Sequence, residues 1–230
     1  MKKDRPAAPK KAEPKSAEPK STESVLAFSG VGQWAAWLKS HHARSQGVWL
    51  RLAKKGAKAG ITYPEALDVA LVWGWIDSQK RALDAEAWLQ RFSPRKAASP
   101  WSKINRTKAE ALIAAGAMEA PGLAEVERAK RDGRWERAYD GARSATVPAD
   151  LAKALARNAP ARAFFETLDS TNRFAILYRV QTAKSPETRA GRIERLVAMC
   201  AKRETIHPAR QKATGARGIA KPKNVRAAKK

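Results

Sequence analysis

All eight tryptophans of this 230-residue chain fall between Trp34 and Trp135, and the densest run is also strongly basic. Trp73 to Lys108 reads WGWIDSQKRALDAEAWLQRFSPRKAASPWSKINRTK. It holds four Trp, one Phe and eight Lys or Arg, against the three acids Asp77, Asp84 and Glu86. Indole rings bury large apolar areas, whereas Arg and Lys require water or an anionic partner. A segment rich in both must pack its rings inward while holding cations at a surface. That requirement makes this stretch the first place to look for a site.

The formal net charge is +24, and it is unevenly distributed. Residues 1–24 contribute +3 and residues 205–230 contribute +8, the latter with no acid at all. The middle of the chain keeps 31 cations against 18 anions, so it is basic in its own right. Such a charge attracts polyanions without choosing among them. The one cysteine, Cys200, excludes an intramolecular disulfide and any multi-cysteine zinc site. Its place on the apolar side of a helical pattern reads as a buried thiol. The Lys-rich start lacks the apolar stretch of a secretory signal, and no run approaches the length of a membrane span. A soluble cytoplasmic protein is expected.

Residues 1–24, with AEPKS twice in tandem, and residues 205–230 cannot bury enough surface to offset ordering entropy. Both are expected to be disordered basic tails, able to bind nucleic acid through its phosphates without sequence preference. Between them the fold class is α+β. An N-terminal domain over 25–140, with an antiparallel sheet of about three strands packed on helices, precedes a small helical bundle over 141–204. Val48, Leu50 and Leu52 alternate with Trp49, Arg51 and Ala53 as a strand. Thr62 and Glu65 form a capping-box pair ahead of an almost wholly apolar helix that Gly74 ends. WIDSQKRAL and AWLQRFS read as a hairpin turning at Asp84, and Ser102 to Gly116 as a helix. In the bundle, Ser185-Pro186 starts a helix carrying Ile193, Leu196, Val197 and Cys200 on one face.

Several strings are familiar. Gly74 to Asp77 (GWID), Arg91 to Arg95 (RFSPR), Ser99 to Asn105 (SPWSKIN), GAMEAPGL, and Ala183 to Arg189 (AKSPETR) together resemble the YdeI/OmpD-associated family, the bacteriocin-protection proteins. The resemblance covers about residues 28–208. One departure is Pro100, where the family more often carries an aliphatic residue. The resemblance implies a cytoplasmic bacterial protein linked to envelope stress or tolerance of toxic peptides. It implies no established reaction.

Within the basic Trp-rich run, Trp75, Asp77, Gln79 and Arg81 alternate onto one strand face. Trp75 would form an aromatic wall, Asp77 and Gln79 directional hydrogen bonds, and Arg81 a fork for carboxylate or phosphate. Trp73 is a further candidate, and if the next strand pairs antiparallel, Arg91 or Gln90 joins this face. Arg95, Trp101, Lys103, Asn105 and Arg106 come from the adjoining loop and helix start, where free N–H groups favour anions. Two readings follow: an anion-binding pocket walled by Trp, or a structural ion pair between Asp77 and Arg81 or Arg95. His41 and His42 point about 100° apart on a helix and have no evident third ligand. No Ser-His-Asp or Cys-His set and no Gly-rich phosphate loop is present. The expectation is a non-catalytic binding protein with no assigned catalytic residue, cofactor or metal. Its partner would be a small anionic ligand. The alternatives are a nucleic-acid-associated protein working through its tails and an enzyme of unknown reaction.

Overall fold

Indole rings decide how the sheet of this protein meets its helices. In the computed structural model, which describes residues 24–57 and 59–208, Trp34 is fully buried. It packs on Trp75 (6.3 Å between ring centroids), Phe92 (5.7 Å) and Trp37 (5.4 Å). Trp34 lies on helix α1 (Val31–His41), Trp75 opens strand β3 (Trp75–Ala82), and Phe92 belongs to strand β4 (Ala87–Pro94). Strand β2 (Val48–Ala53) is the one the alternation predicts, and a two-residue strand β1 (Val25–Leu26) is added beside it. The sheet order is β1-β2-β4-β3, parallel between β1 and β2 and antiparallel elsewhere. The expected three strands are thus four; β1 is too short to show any alternation.

Helix α2 (Tyr63–Val72) is the hub of the first unit, packing on α1, β2, β3, α3 (Lys103–Ala114) and α4 (Ala120–Arg131). Its start carries the expected capping box, in which the Glu65 carboxylate accepts from the Thr62 backbone amide at 2.8 Å. Its end turns at Gly74, whose φ of +71° is left-handed and suits glycine. Trp34 Nε1 donates to Ala66 O at 3.1 Å, which ties α1 to α2 from inside the core. Ser102 caps α3 by accepting from the Asn105 amide at 3.1 Å. The sequence predicts a connector over Met118 to Gly122 and a helix from Leu123; helix α4 instead begins at Ala120, because Pro121 fits a first helical turn.

The chain divides into two units between Tyr139 and Asp140. Among its described residues the second holds four helices: α5 (Ala149–Ala156), α6 (Ala159–Thr167), α7 (Ser170–Gln181) and α8 (Pro186–Ala201). Asn158, Asp169 and Ser185 cap the last three through their side chains. Leu151, Phe165, Ile176, Leu177, Val180, Ile193, Leu196 and Cys200 form its core. The spacing of Phe174, Leu177 and Tyr178 predicts one apolar face on α7; Leu177 is buried there with Asn172, Ala175, Ile176 and Val180, while Phe174 and Tyr178 are half-buried. Arg189 joins three helices. Its Nε and Nη2 grip the two Asp150 carboxylate oxygens at 2.5 and 2.9 Å, and its Nη1 donates to Val180 O at 2.8 Å. Apart from residues 24 and 205–208, the expected tails lie outside the described residues. No helix among the described residues is long and apolar enough to cross a membrane.

Gly122 sets how closely α4 approaches the end of α2. A Cβ there would strike the carbonyl oxygens of Val72 and Leu71, which belong to backbone and cannot swing aside. Gly122→Ala is expected to lower stability by about 1–3 kcal/mol, the usual range for overpacking. Urea melts of the two proteins check this; an unchanged midpoint would show that α4 shifts freely.

Candidate functional site

The hairpin meant to gather the site is interrupted. Asp77 pairs with Phe92, but Lys80 pairs with Gln90, so Ser78 and Gln79 stand against the single residue Arg91. This β-bulge inserts one residue and reverses the alternation beyond it. Trp75 and Asp77 share the core face with Phe92. Arg81 instead pairs with Leu89 and lies on the outer face, its guanidinium 4.0 Å above the Trp49 ring. The expected alignment of Trp75, Asp77, Gln79 and Arg81 is therefore split in two by the extra residue. Arg91, in register with Trp49, joins the outer face and donates to Gln46 O at 3.3 Å. Gln79 contributes its backbone, whose carbonyl accepts from Gln90 Nε2 at 3.0 Å.

On the inner side a different group assembles. Arg95 follows β4, and its amide donates to Gly74 O at 3.0 Å. Its side chain folds inward to 6% exposure and stacks on Trp101, with the guanidinium carbon 3.6 Å from the ring centroid. Trp101 is itself buried and meets Trp135 edge-on at 4.8 Å. The loop between Arg95 and Trp101 is clasped by two arginines. Arg95 Nη1 donates to Pro100 O at 3.4 Å, and Arg134 Nη1 to Ser99 O at 2.7 Å. Arg106 donates to Trp135 O at 3.3 Å and pairs with Glu110 at 3.5 Å. Lys103 and Asn105 occupy the start of α3; the Lys103 amide donates to Tyr139 O at 2.8 Å, and Asn105 is buried beneath the cap.

Five buried donors in this cluster have no hydrogen-bond acceptor among the described residues: Arg95 Nε, Arg95 Nη2, Trp101 Nε1, Arg106 Nε and Arg134 Nη2. The last two face carboxylates in ion pairs, Glu110 at 3.5 Å and Asp132 at 2.8 Å, which leaves Arg95 and Trp101 without a counter-group. The expected ion pair does not fill them. Neither Arg81 nor Arg95 reaches ion-pair distance of Asp77, which accepts instead from the Tyr63 hydroxyl at 3.0 Å. Burial depresses the Arg95 pKa to about 10; the charges of Glu125, Tyr139 and Asp77 act against that fall, and Arg134 adds to it. Burial raises the Asp77 carboxyl above its ordinary value, offset in part by the Tyr63 hydrogen bond, its own amide and Arg95. The Tyr63 phenol is pushed well above its ordinary value, first by burial and then by the Asp77 charge. Sequence reasoning missed Tyr63, Glu125, Arg134, Trp135 and Tyr139. Tyr63 sits directly behind the Thr62 cap, a signal already in view, while the others come from segments distant in the chain.

The remaining candidates are dispersed. Trp75 fills the core at 1% exposure and donates to His42 O at 3.2 Å, so it is no pocket wall. Trp73 is half-buried and packs on His42, 4.8 Å away. His41 and His42 direct Nδ1 at the carbonyls of Trp37 and Leu38, one helical turn back. Among the described residues no cluster of His, Cys, Asp and Glu could hold a metal ion. Cys200 is buried, which raises its thiol pKa.

The Tyr63–Asp77 bond carries a pH signature. The folded phenol keeps its proton where an unfolded tyrosine loses it, near pH 10.0. Its contribution is thus complete below that pH and fades as pH rises beyond it. Tyr63→Phe is expected to lose about 1–2 kcal/mol at pH 7 and to decline less steeply than the parent on the alkaline side. Urea melts at stepped pH measure both slopes; parallel declines would remove Tyr63 as the source.

Comparison with known proteins divides along similar lines. Residues 26–125 match a domain of unknown function (DUF8412), and this range contains Asp77, Arg95 and Trp101. Residues 144–203 match the family described as Bacteriocin-protection, YdeI or OmpD-Associated. No curated protein and no solved structure matches the chain. Of the motifs read in the sequence, Ala183 to Arg189 lies inside the second match, where Arg189 ties α8 to α5 and α7. The resemblance read in the sequence is thus met by a direct match to the bacteriocin-protection, YdeI or OmpD-associated family over residues 144–203.

Proposed function

We propose that this is a non-catalytic cytoplasmic protein of bacteriocin, antimicrobial-peptide or envelope-stress protection that binds a small anionic ligand through its first unit. The protective role is supported by the family match over residues 144–203. The ligand class is supported by one observation above all: Arg95 is buried on Trp101 without an ion-pair partner among the described residues. An unmatched buried donor costs about 1–3 kcal/mol, and more when charged. Stacking on an indole returns only part of that, up to about 2 kcal/mol when desolvated. An anion would return the rest. Asp77 lacks the second positioned group that acid–base catalysis requires, since its one side-chain hydrogen-bond partner is a phenol held far above neutral pKa. Nucleic-acid association through residues 1–24 and 205–230 remains the second reading, carried by their charge of +3 and +8.

The test is thermal melting of the full chain in acetate, inorganic phosphate, sulfate and chloride at matched ionic strength. At least one of the first three is expected to stabilise the protein beyond chloride, by about 1.4 kcal/mol at ten times its Kd. Arg95→Gln should abolish the effect while still melting cooperatively. Equal stabilisation of the variant, or none beyond chloride in the parent, would end the ligand reading. Deleting residues 1–24 and 205–230 and titrating DNA against salt separates the second reading, which requires binding to disappear with the tails.

A further inference from the structure

We infer that the Arg95–Trp101 cluster is a carboxylate site, in which the side-on edge of the Arg95 guanidinium receives both oxygens of a monoanionic carboxylate. This rests on the anion-binding reading and narrows it to one chemical class. The two unmatched Arg95 donors are Nε and Nη2. In a guanidinium these N–H groups run parallel along one edge, spaced to meet the two oxygens of a carboxylate. The third nitrogen, Nη1, is used, donating to Pro100 O at 3.4 Å. The same chain shows this arrangement complete. Arg189 directs Nη1 at a backbone carbonyl, Val180 O, and places Nε and Nη2 on the two oxygens of Asp150. Arg95 reproduces that division of labour except for the carboxylate.

Among the described residues no carboxylate fills the position. Glu125 and Asp77 are the acids whose charges act on Arg95. Glu125 is engaged by Arg128, and Asp77 accepts from Tyr63. The acceptor must therefore come from outside the described residues. The local shortage is one of acceptors throughout, because Trp101 Nε1 beneath the guanidinium is a third buried donor without a partner. An acceptor-only group relieves it; water, which brings two hydrogens of its own, relieves it less well. A single negative charge also fits better than two. The charges of Glu125 and Asp77 already oppose further negative potential at Arg95, against the neighbouring cation that acts on it, Arg134. A phosphate dianion would bring an excess charge into a nearly dry site.

The experiment uses the full chain with sodium acetate as probe, acetamide as its neutral counterpart, and inorganic phosphate as the competing anion. Sodium chloride at equal ionic strength is the baseline. Melting temperature and the indole N–H resonances in a ¹H–¹⁵N spectrum are the readouts, with Trp101 identified by the signal lost in Trp101→Phe. Acetate is expected to raise the melting temperature and to move the Trp101 resonance saturably, while acetamide does neither. Arg95→Lys, which keeps the charge and loses the parallel edge, should weaken acetate at least tenfold. If that variant fails to fold, the Trp101 resonance of the parent still decides. A static resonance with acetate overturns the inference, as does an undiminished acetate effect in a folded Arg95→Lys. A shift with phosphate alone overturns the carboxylate assignment but leaves the anion reading intact; no response to any anion ends both. An acetylated dipeptide with a free C-terminus, compared with its amide, separates the two sources of the group. Tighter binding of the peptide acid than of acetate assigns chain termini, and the reverse assigns free small acids.

Discussion

Trp75 facing the core is the constraint from which the rest of the first unit follows. Its ring meets Trp34 and Trp37 edge-on, which turns the start of β3 inward. A residue two positions on must then also face inward, and that residue is Asp77. Burial makes its charge costly, so the side chain draws on the Tyr63 hydroxyl, supplied by the first turn of α2. The left-handed Gly74 between α2 and β3 leaves its carbonyl to the Arg95 amide. One indole placement thus brings helix α2, an acid and a base into a single neighbourhood. The bulge at Ser78 and Gln79 then releases the strand. Beyond it the residues are exposed, and Lys80 and Arg81 occupy the sheet's outermost strand, where charge discourages pairing with another chain.

Much of this architecture was legible because its signals are local. The alternation at Val48–Ala53, the Thr62–Glu65 capping box, the stop at Gly74 and the Ser102 and Ser185 caps all lie within a few residues of what they control. Strand β1 was not legible, since two residues contain no period. The bulge was hidden for a different reason. WIDSQKRAL alternates acceptably as a regular strand, and only pairing against Arg91 shows that one residue is extra. That hidden residue moved Arg81 from the inferred site to the opposite face. Arg95 and Trp101 could be nominated from the sequence, yet their stacking could not, because it depends on the path of the intervening loop. Tyr63, Glu125 and Arg134 reach the same cluster from three further elements, and no spacing rule connects them.

The tryptophans serve two purposes that composition alone merges. Trp34, Trp75 and Trp135 are interior fillers joined to other rings. Trp49 and Trp101 are also buried, but each carries an arginine on its face, Arg81 at 4.0 Å and Arg95 at 3.6 Å. The two stacks differ in consequence. Arg81 is exposed and keeps water on its other side, so its charge costs little. Arg95 is enclosed, and the aromatic face is its principal compensation. The same pair of residue types therefore makes a surface decoration in one place and an electrostatically unfinished interior in the other.

The two sequence matches fall on different units, and this bears on how function is shared along the chain. The bacteriocin-protection family match lies wholly within the second unit, where several polar and charged residues act structurally: Arg189 and Asp150 close a fork, and Asn158, Asp169 and Ser185 cap helices. These side chains have their hydrogen bonds met. The unmet donors of Arg95 and Trp101 lie within the other match, to a domain of unknown function. A buried group left short of partners is retained against a steady loss of stability, whereas a satisfied one needs no reason beyond the fold. On that physical ground the family name describes the helical unit, and the chemistry that distinguishes this chain is to be sought where Arg95 meets Trp101.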